Sequence, residues 1–155
     1  MRRWSTVIIV ATLALLVSAA VPIPALGTSE VIHVSGTEVP VGFDDVLVRV
    51  SHGCAVFDTT GTTRLECDSP LLAGYSHQIQ DWVYVFRPDM ARFHGSFTIE
   101  LDAGGEWRGN YHGGYTGGVW WGEFVGRGYG GAVDGGMLYE SIYGGVIDAE
   151  IRLAD

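Results

Sequence analysis

The sequence predicts an all-β protein, a small antiparallel β-barrel of about eight strands that is closed or nearly closed. Beyond the N-terminal segment, no stretch places apolar residues at helical spacing without an intervening glycine or proline. Short runs of alternating apolar and polar residues recur between turn-forming residues instead. Sixteen of the 23 glycines lie between Gly104 and Gly145, interleaved with aromatic residues, a mixture that suits bent, closely packed strands.

The first 27 residues are predicted to be a signal peptide (1–27) and not part of the fold. Two arginines precede an apolar run at 7–20, and small residues follow at the expected cleavage site. We expect cleavage after Gly27, with cleavage after Ala20 as the alternative. This leaves one domain, residues 28–155. The run is short for a membrane span of about 20 residues, so we expect no stable membrane anchor after cleavage and a secreted or cell-envelope location.

The predicted strands follow one another with turn signals between them. Each strand is predicted from a run of β-branched residues or from alternation of apolar and polar residues. In one of them, Phe97, Ile99 and Leu101 share the inner face. The predicted strands are 31–35, 45–50, a hairpin over 54–67, 81–86, 96–101, 106–112, 119–125, 137–143 and 146–153. The segment 67–77 is the least regular, and we predict either a loop or a short helical plug over one barrel end.

The hairpin carries the two cysteines. Two cysteines in an exported domain predict one disulfide. If Thr60 and Gly61 form a two-residue turn, Cys54 faces Cys67 as a non-hydrogen-bonded pair. The Cα atoms of such a pair lie about 4.5 Å apart, within reach of a disulfide. We therefore expect one disulfide-stapled hairpin.

Glycines inside strands favour a barrel over a flat sandwich. Glycine weakens a strand unless a bend or a close approach requires it, and coiling a sheet shut requires such bends. The glycines predicted to lie inside strands are Gly109, Gly122, Gly126 and Gly128.

The segment from Gly105 to Ile151 carries a family resemblance. Its pattern is a G-x-W-x-G strand, a G-x-F-x-G-x-G-x-G strand and a closing strand V-I-D-A-E-I. It resembles the C-terminal half of secreted bacterial proteins related to the allene oxide cyclase-type, calycin-like barrels, over about a third of the chain. The resemblance implies the barrel fold. No catalytic residue of the plant cyclases can be matched in this sequence, so it implies no activity.

The net charge and the spacing of the histidines limit the classes of partner and cofactor that we expect. After the signal peptide, 18 acidic residues stand against seven arginines and no lysine, which argues against nucleic acid and anionic membranes as partners. None of the histidines has a metal-ligand spacing, so we predict no metal and no cofactor. The histidines are His33, His52, His77, His94 and His112.

The candidate binding residues are aromatic, with one acid. Trp120 and Trp121 are adjacent in a strand, so they point to opposite faces. Glu123 shares the face of Trp121, and a buried carboxyl there would have a raised pKa and could act as a general acid. The alternatives are that a bend at Gly122 turns Glu123 to the other face, or that Glu123 pairs with Arg108 or Arg127. The predicted ligand-binding residues are Trp82, Tyr84, Tyr111, Trp121 and Glu123.

These observations predict a protein that binds a small apolar or amphipathic ligand in the barrel mouth, without catalysis. One alternative is a cyclase or isomerase that folds a reactive substrate in the cavity, with Glu123 or a tyrosine as the acid. A second alternative is a structural or self-associating envelope protein. The oligomeric state is left open.

Overall fold

A computed structural model describes residues 30–87 and 89–154 of the chain. The predicted signal peptide lies outside the described residues. The eight strands, in chain order, are β1 (Val31–Ser51), β2 (Cys54–Cys67), β3 (Gly74–Val85), β4 (Met90–Leu101), β5 (Glu106–Thr116), β6 (Val119–Tyr129), β7 (Met137–Tyr143) and β8 (Val146–Arg152). A single turn of 3-10 helix, Gly131–Val133, precedes β7.

Each strand pairs antiparallel with the next, and β8 pairs back with β1 to close the ring. The closing register runs from Val31 opposite Arg152 to Thr37 opposite Val146. The prediction of an all-β, closed antiparallel barrel of about eight strands is confirmed. None of the described residues belongs to a helix long and apolar enough to cross a membrane.

The first strand is longer than the sequence predicts. The predicted strands 31–35 and 45–50 are parts of one strand of 21 residues. Its register against β2 shifts between Pro40 and Gly42 and again between Leu47 and Arg49. Such bulges admit a proline, which lacks the N–H that a regular ladder needs. Beyond Thr37, β1 is paired along its length with β2 alone.

The predicted disulfide is wrong. Cys54 and Cys67 are the first and last residues of β2, one strand of 14 residues, and both thiols are free. At about 3.3 Å per residue their Cα atoms lie roughly 43 Å apart, far beyond the range of a disulfide. The expected turn at Thr60 and Gly61 does not form, because Gly61 continues the strand beneath the ring of Phe43, where a Cβ atom would collide.

One end of the barrel is packed solid. The segment between β2 and β3 crosses this end, and its Leu72 is fully buried. Trp107, also fully buried, donates a hydrogen bond from Nε1 to the carbonyl oxygen of Leu71 at 2.8 Å. Of the two predictions for 67–77, the structure shows a turn that acts as a plug, without an α-helix.

Glycines and aromatic rings share the inner wall of β5 and β6. A Cβ atom on Gly109 would collide with the carbonyl oxygen of Val125 on the neighbouring strand. The ring of Phe97 covers Gly126, with its Cζ atom 2.9 Å from where a Cβ would lie. The glycines therefore allow close approach of the strands, and aromatic rings occupy the space, as the sequence predicts.

The other end of the barrel is open and uneven. β7 and β8 are seven residues each and meet at a turn formed by Gly144 and Gly145. On one side of this turn, β6 begins two residues before Trp121, its first partner on β7; on the other side, β1 continues for 14 residues beyond Thr37, its last partner on β8. The barrel wall is thus low at β7 and β8, which leaves a mouth on this side.

Candidate functional site

The barrel encloses a cavity of about 710 Å³ toward its open end. This volume lies within the range of small-molecule sites. Most of its wall is aromatic or aliphatic, and its mouth reaches solvent at Phe43 and Trp120, which are 44% and 49% exposed. The aromatic residues on the inner wall are Phe43, Trp82, Phe93, Tyr111, Trp120 and Phe124.

Near the mouth, Trp82 is the centre of an aromatic group. Its ring stacks on Phe57 with a centroid distance of 4.5 Å and meets Trp120 edge-on at 6.1 Å. Its Nε1 donates a hydrogen bond to Thr59 Oγ1 at 2.7 Å, and the Thr59 hydroxyl in turn donates to Asp45 Oδ1 at 2.5 Å. Stacking and hydrogen bonds therefore hold the Trp82 ring in one orientation.

Deeper in the cavity, Tyr111 stacks on Phe124 with a centroid distance of 4.7 Å and nearly parallel planes. Its hydroxyl donates a hydrogen bond to Gln80 Oε1 at 2.8 Å. Burial, followed by the nearby Glu38 charge, raises the pKa of Tyr111. The phenol is therefore a stable hydrogen-bond donor in the cavity wall.

The adjacent tryptophans lie on opposite faces, and Trp120 is the one inside. Trp120 packs against Phe93 with a centroid distance of 6.0 Å, within the cavity. Trp121 lies on the outer face at the rim, with the guanidinium of Arg92 over its ring at 5.2 Å. The sequence leaves open which of the two faces is the inner one; in the structure Trp120 lies on the inner face, and Trp121, a predicted ligand-binding residue, borders the cavity at its rim.

Glu123 follows Trp121 to the outside. Its side chain is 63% exposed, and its Oε2 lies 3.2 Å from Nε2 of His112. It therefore takes no part in the cavity, and neither of the predicted arginine partners pairs with it in the structure. The other predicted residues face inward: Trp82 and Tyr111 line the cavity, and Tyr84 lies beyond Trp82 near the rim, where its hydroxyl donates to Asp89.

Two carboxylates line the cavity, and both come from β1. Asp45 lies at the mouth beside Thr59, and Glu38 lies further in, where Gln78 Nε2 donates to its Oε1 at 3.1 Å. Burial raises the pKa of Glu38, and the polar side chains of Thr63 and Gln78 partly offset this effect. Sequence reasoning missed both acids, because the bulges in β1 interrupt the alternation that would place them on one face.

A third acid, Glu140 on β7, is buried in the barrel interior. It is 4% exposed, and neither carboxylate oxygen has a hydrogen-bond partner among the described residues. Burial first, and then the charge of Glu38, raises the pKa of Glu140 to about 8. The sequence held a signal for it, since the alternation of Leu138, Glu140 and Ile142 places an acid on the apolar face of a strand.

The cavity wall carries no positive charge within the described part of the chain. None of its lining residues is an arginine or a histidine. The arginines with identified partners make their contacts outside the cavity, as Arg64 does with Asp102 at 2.5 Å and Arg152 with Glu150 at 3.6 Å. Among residues 30–87 and 89–154, no three His, Cys, Asp or Glu side chains come together as a metal site.

The site is thus a half-open aromatic cavity with hydrogen-bonding groups and carboxylates but no cationic side chain. The sequence matches no protein-family model and no curated protein.

Proposed function

We propose that this protein binds a small ligand with an apolar or aromatic body in the open end of its barrel. The observation that carries the proposal is the aromatic cavity of about 710 Å³, which the side chains of the barrel leave unfilled. Apolar walls with a few fixed polar groups are the usual composition of a small-molecule site, and here Gln80, Tyr111 and Thr59 are such groups. A secreted location, predicted from the signal peptide, suits a carrier or scavenger of such ligands.

Titration calorimetry with the neutral probe 2-(2-naphthyl)ethanol tests the proposal. We expect binding with a negative heat-capacity change, the signature of apolar burial. Trp120→Ala should weaken binding by about tenfold, because it removes an aromatic wall worth at least 1.4 kcal/mol. Tyr139→Ala is the matched control, since Tyr139 is exposed on the outer face of β7 and does not line the cavity. Equal loss in both variants, or no heat of binding at millimolar probe, would contradict the proposal.

A second candidate is a cavity-based cyclase or isomerase, the activity class of the enzymes that the C-terminal segment resembles. The observation in its favour is Glu38, a partly buried carboxyl in the cavity wall with a raised pKa. Such a group can act as a general acid, and the Tyr111 hydroxyl, which its raised pKa keeps protonated, can help to orient the substrate. The test is turnover of a polyunsaturated epoxide, followed by chromatography of the cyclised product. Product formation that survives Glu38→Gln and Tyr111→Phe would exclude this assignment.

A third candidate is self-association in the envelope, favoured by the apolar edge of β1. Val39, Val41 and Val46 are 43%, 60% and 63% exposed along a strand that pairs only with β2 in this region. An open apolar edge is a template for pairing with another strand. Sedimentation velocity over a hundredfold concentration range tests this candidate, and a monomer throughout would count against it.

A further inference from the structure

The mouth of the cavity combines one carboxylate with several aromatic faces. Asp45 is joined through the Thr59 hydroxyl to the indole of Trp82, and this hydrogen bond occupies only its Oδ1. Its second carboxylate oxygen remains as an acceptor for a ligand. The carboxylate is therefore fixed in position next to the aromatic group.

Three aromatic rings stand close together at this point. Trp120 lies between Trp82 and Phe93, with centroid distances of 6.1 Å and 6.0 Å. All three line the cavity. Faces of tryptophan and phenylalanine attract cations within about 6 Å of the ring centroid, and the attraction grows where water is excluded. A carboxylate beside such rings is the environment that aromatic cages offer to ammonium groups.

The charge of the cavity points the same way. The described lining residues include Glu38 and Asp45 but no arginine or histidine, and the full chain has a formal charge of −9. An anionic ligand such as a fatty acid would meet the like charge of Asp45 at the mouth.

An organic cation fits this arrangement better than a metal ion does. The described residues bring no three His, Cys, Asp or Glu side chains together. The wall around Asp45 is aromatic, and its other neighbour is the Thr59 hydroxyl. Hard metal ions take six or more oxygen ligands, whereas an ammonium group on an apolar body uses one carboxylate and ring faces.

We propose that the ligand is an organic ammonium compound with an apolar or aromatic body, bound with its ammonium group against Asp45, Trp82 and Trp120 and its body directed toward Phe124. This inference rests on the proposed binding function and assigns its ligand class. It makes Asp45 the counter-ion of the ligand.

The test uses three naphthyl probes of matched shape in titration calorimetry at pH 7, namely 2-(2-naphthyl)ethylamine, 2-(2-naphthyl)ethanol and 2-naphthylacetate. We expect the amine to bind at least tenfold more tightly than the alcohol, and the acetate to bind more weakly than either. Absence of binding by all three probes would overturn the proposed function itself. Binding of the alcohol or the acetate as tightly as the amine would overturn only the ammonium assignment.

Asp45→Asn removes the negative charge of Asp45 while keeping the shape of the side chain, so it distinguishes the effect of charge from the effect of shape on binding. We expect it to reduce amine affinity to that of the alcohol while leaving the alcohol unchanged. Asp44→Asn is the matched control, because Asp44 is the adjacent acid of β1 and borders the groove on the other side of the sheet, beside Thr60 and His77. An amine preference that persists in Asp45→Asn, or that is lost equally in Asp44→Asn, would overturn the role of Asp45.

Soluble amines and choline lipids both carry an ammonium group. Flotation with phosphatidylcholine vesicles distinguishes these two sources. Protein that binds the amine and stays in the soluble fraction supports a soluble amine as the ligand. Protein that floats with the vesicles, and is released by the amine, supports a choline headgroup at the same site. Flotation that the amine does not reverse would overturn the assignment of that headgroup to Asp45.

Discussion

Glu140→Gln should remove a large pH dependence of stability. The pKa of Glu140 is raised to about 8 from an ordinary 4.5, chiefly by burial. Between these pH values the native state holds a proton that the unfolded chain has released, so raising the pH favours unfolding. Each pKa unit corresponds to about 1.4 kcal/mol, so the free energy of unfolding should fall by about 5 kcal/mol between pH 4.5 and pH 8.

The glutamine variant keeps the shape of the protonated side chain and cannot ionise. We expect wild type and variant to have similar stability at pH 4.5, and the variant to be more stable above pH 8 by up to about 5 kcal/mol. The pKa of Glu38 is also raised, so Glu38 likewise lowers the free energy of unfolding as the pH rises. The Glu140→Gln variant retains this contribution of Glu38. The difference between the two proteins therefore isolates Glu140.

Urea unfolding at half-unit steps from pH 4.5 to pH 8.5, followed by circular dichroism, measures this difference. The urea dependence should be equal in both proteins at each pH, so that a shift in midpoint reports stability. Glu123→Gln is the control, because Glu123 lies on the outer face, and it should change stability by less than about 0.5 kcal/mol. A constant gap between wild type and Glu140→Gln across the pH range would refute the reasoning.

Three further predictions concern the scaffold. A reductant should leave the urea midpoint of the folded protein unchanged, because Cys54 and Cys67 lie at opposite ends of β2; a lower midpoint under reduction would show that they are bridged. Gly109→Ala should lower the free energy of unfolding by about 3 kcal/mol or prevent folding, since its Cβ would collide with the neighbouring strand. Gly42→Ala is the control, because the space around Gly42 is open, and it should leave the stability nearly unchanged. Urea unfolding measures both variants. Trp107→Phe should cost about 2 kcal/mol through the lost hydrogen bond to Leu71 and the smaller ring, measured the same way, and an unchanged midpoint would contradict the plug.

The alternation of the strands allowed much of the fold to be predicted. The pattern of Ile147, Ala149 and Ile151 indicated a strand with one buried face, and all three are buried in β8. The disulfide was predicted wrongly because a Thr-Gly pair satisfies the local requirements of both a turn and a strand. Gly61 lies in a strand because it pairs with Phe43 of β1. Phe43 is distant from Gly61 along the chain, so the local sequence does not reveal this contact.

The sequence alone determined that Trp120 and Trp121 lie on opposite faces, because side chains alternate along any strand. Only the tertiary structure decided that Trp120 faces the cavity, since shifting a register by one residue exchanges the two faces without changing the local pattern. The register of the strands also explains why Glu123 lies outside the barrel and Glu140 lies inside it. Both acids alternate with apolar residues, but closure of the ring put Glu123 beside His112 outside and buried Glu140 within the barrel.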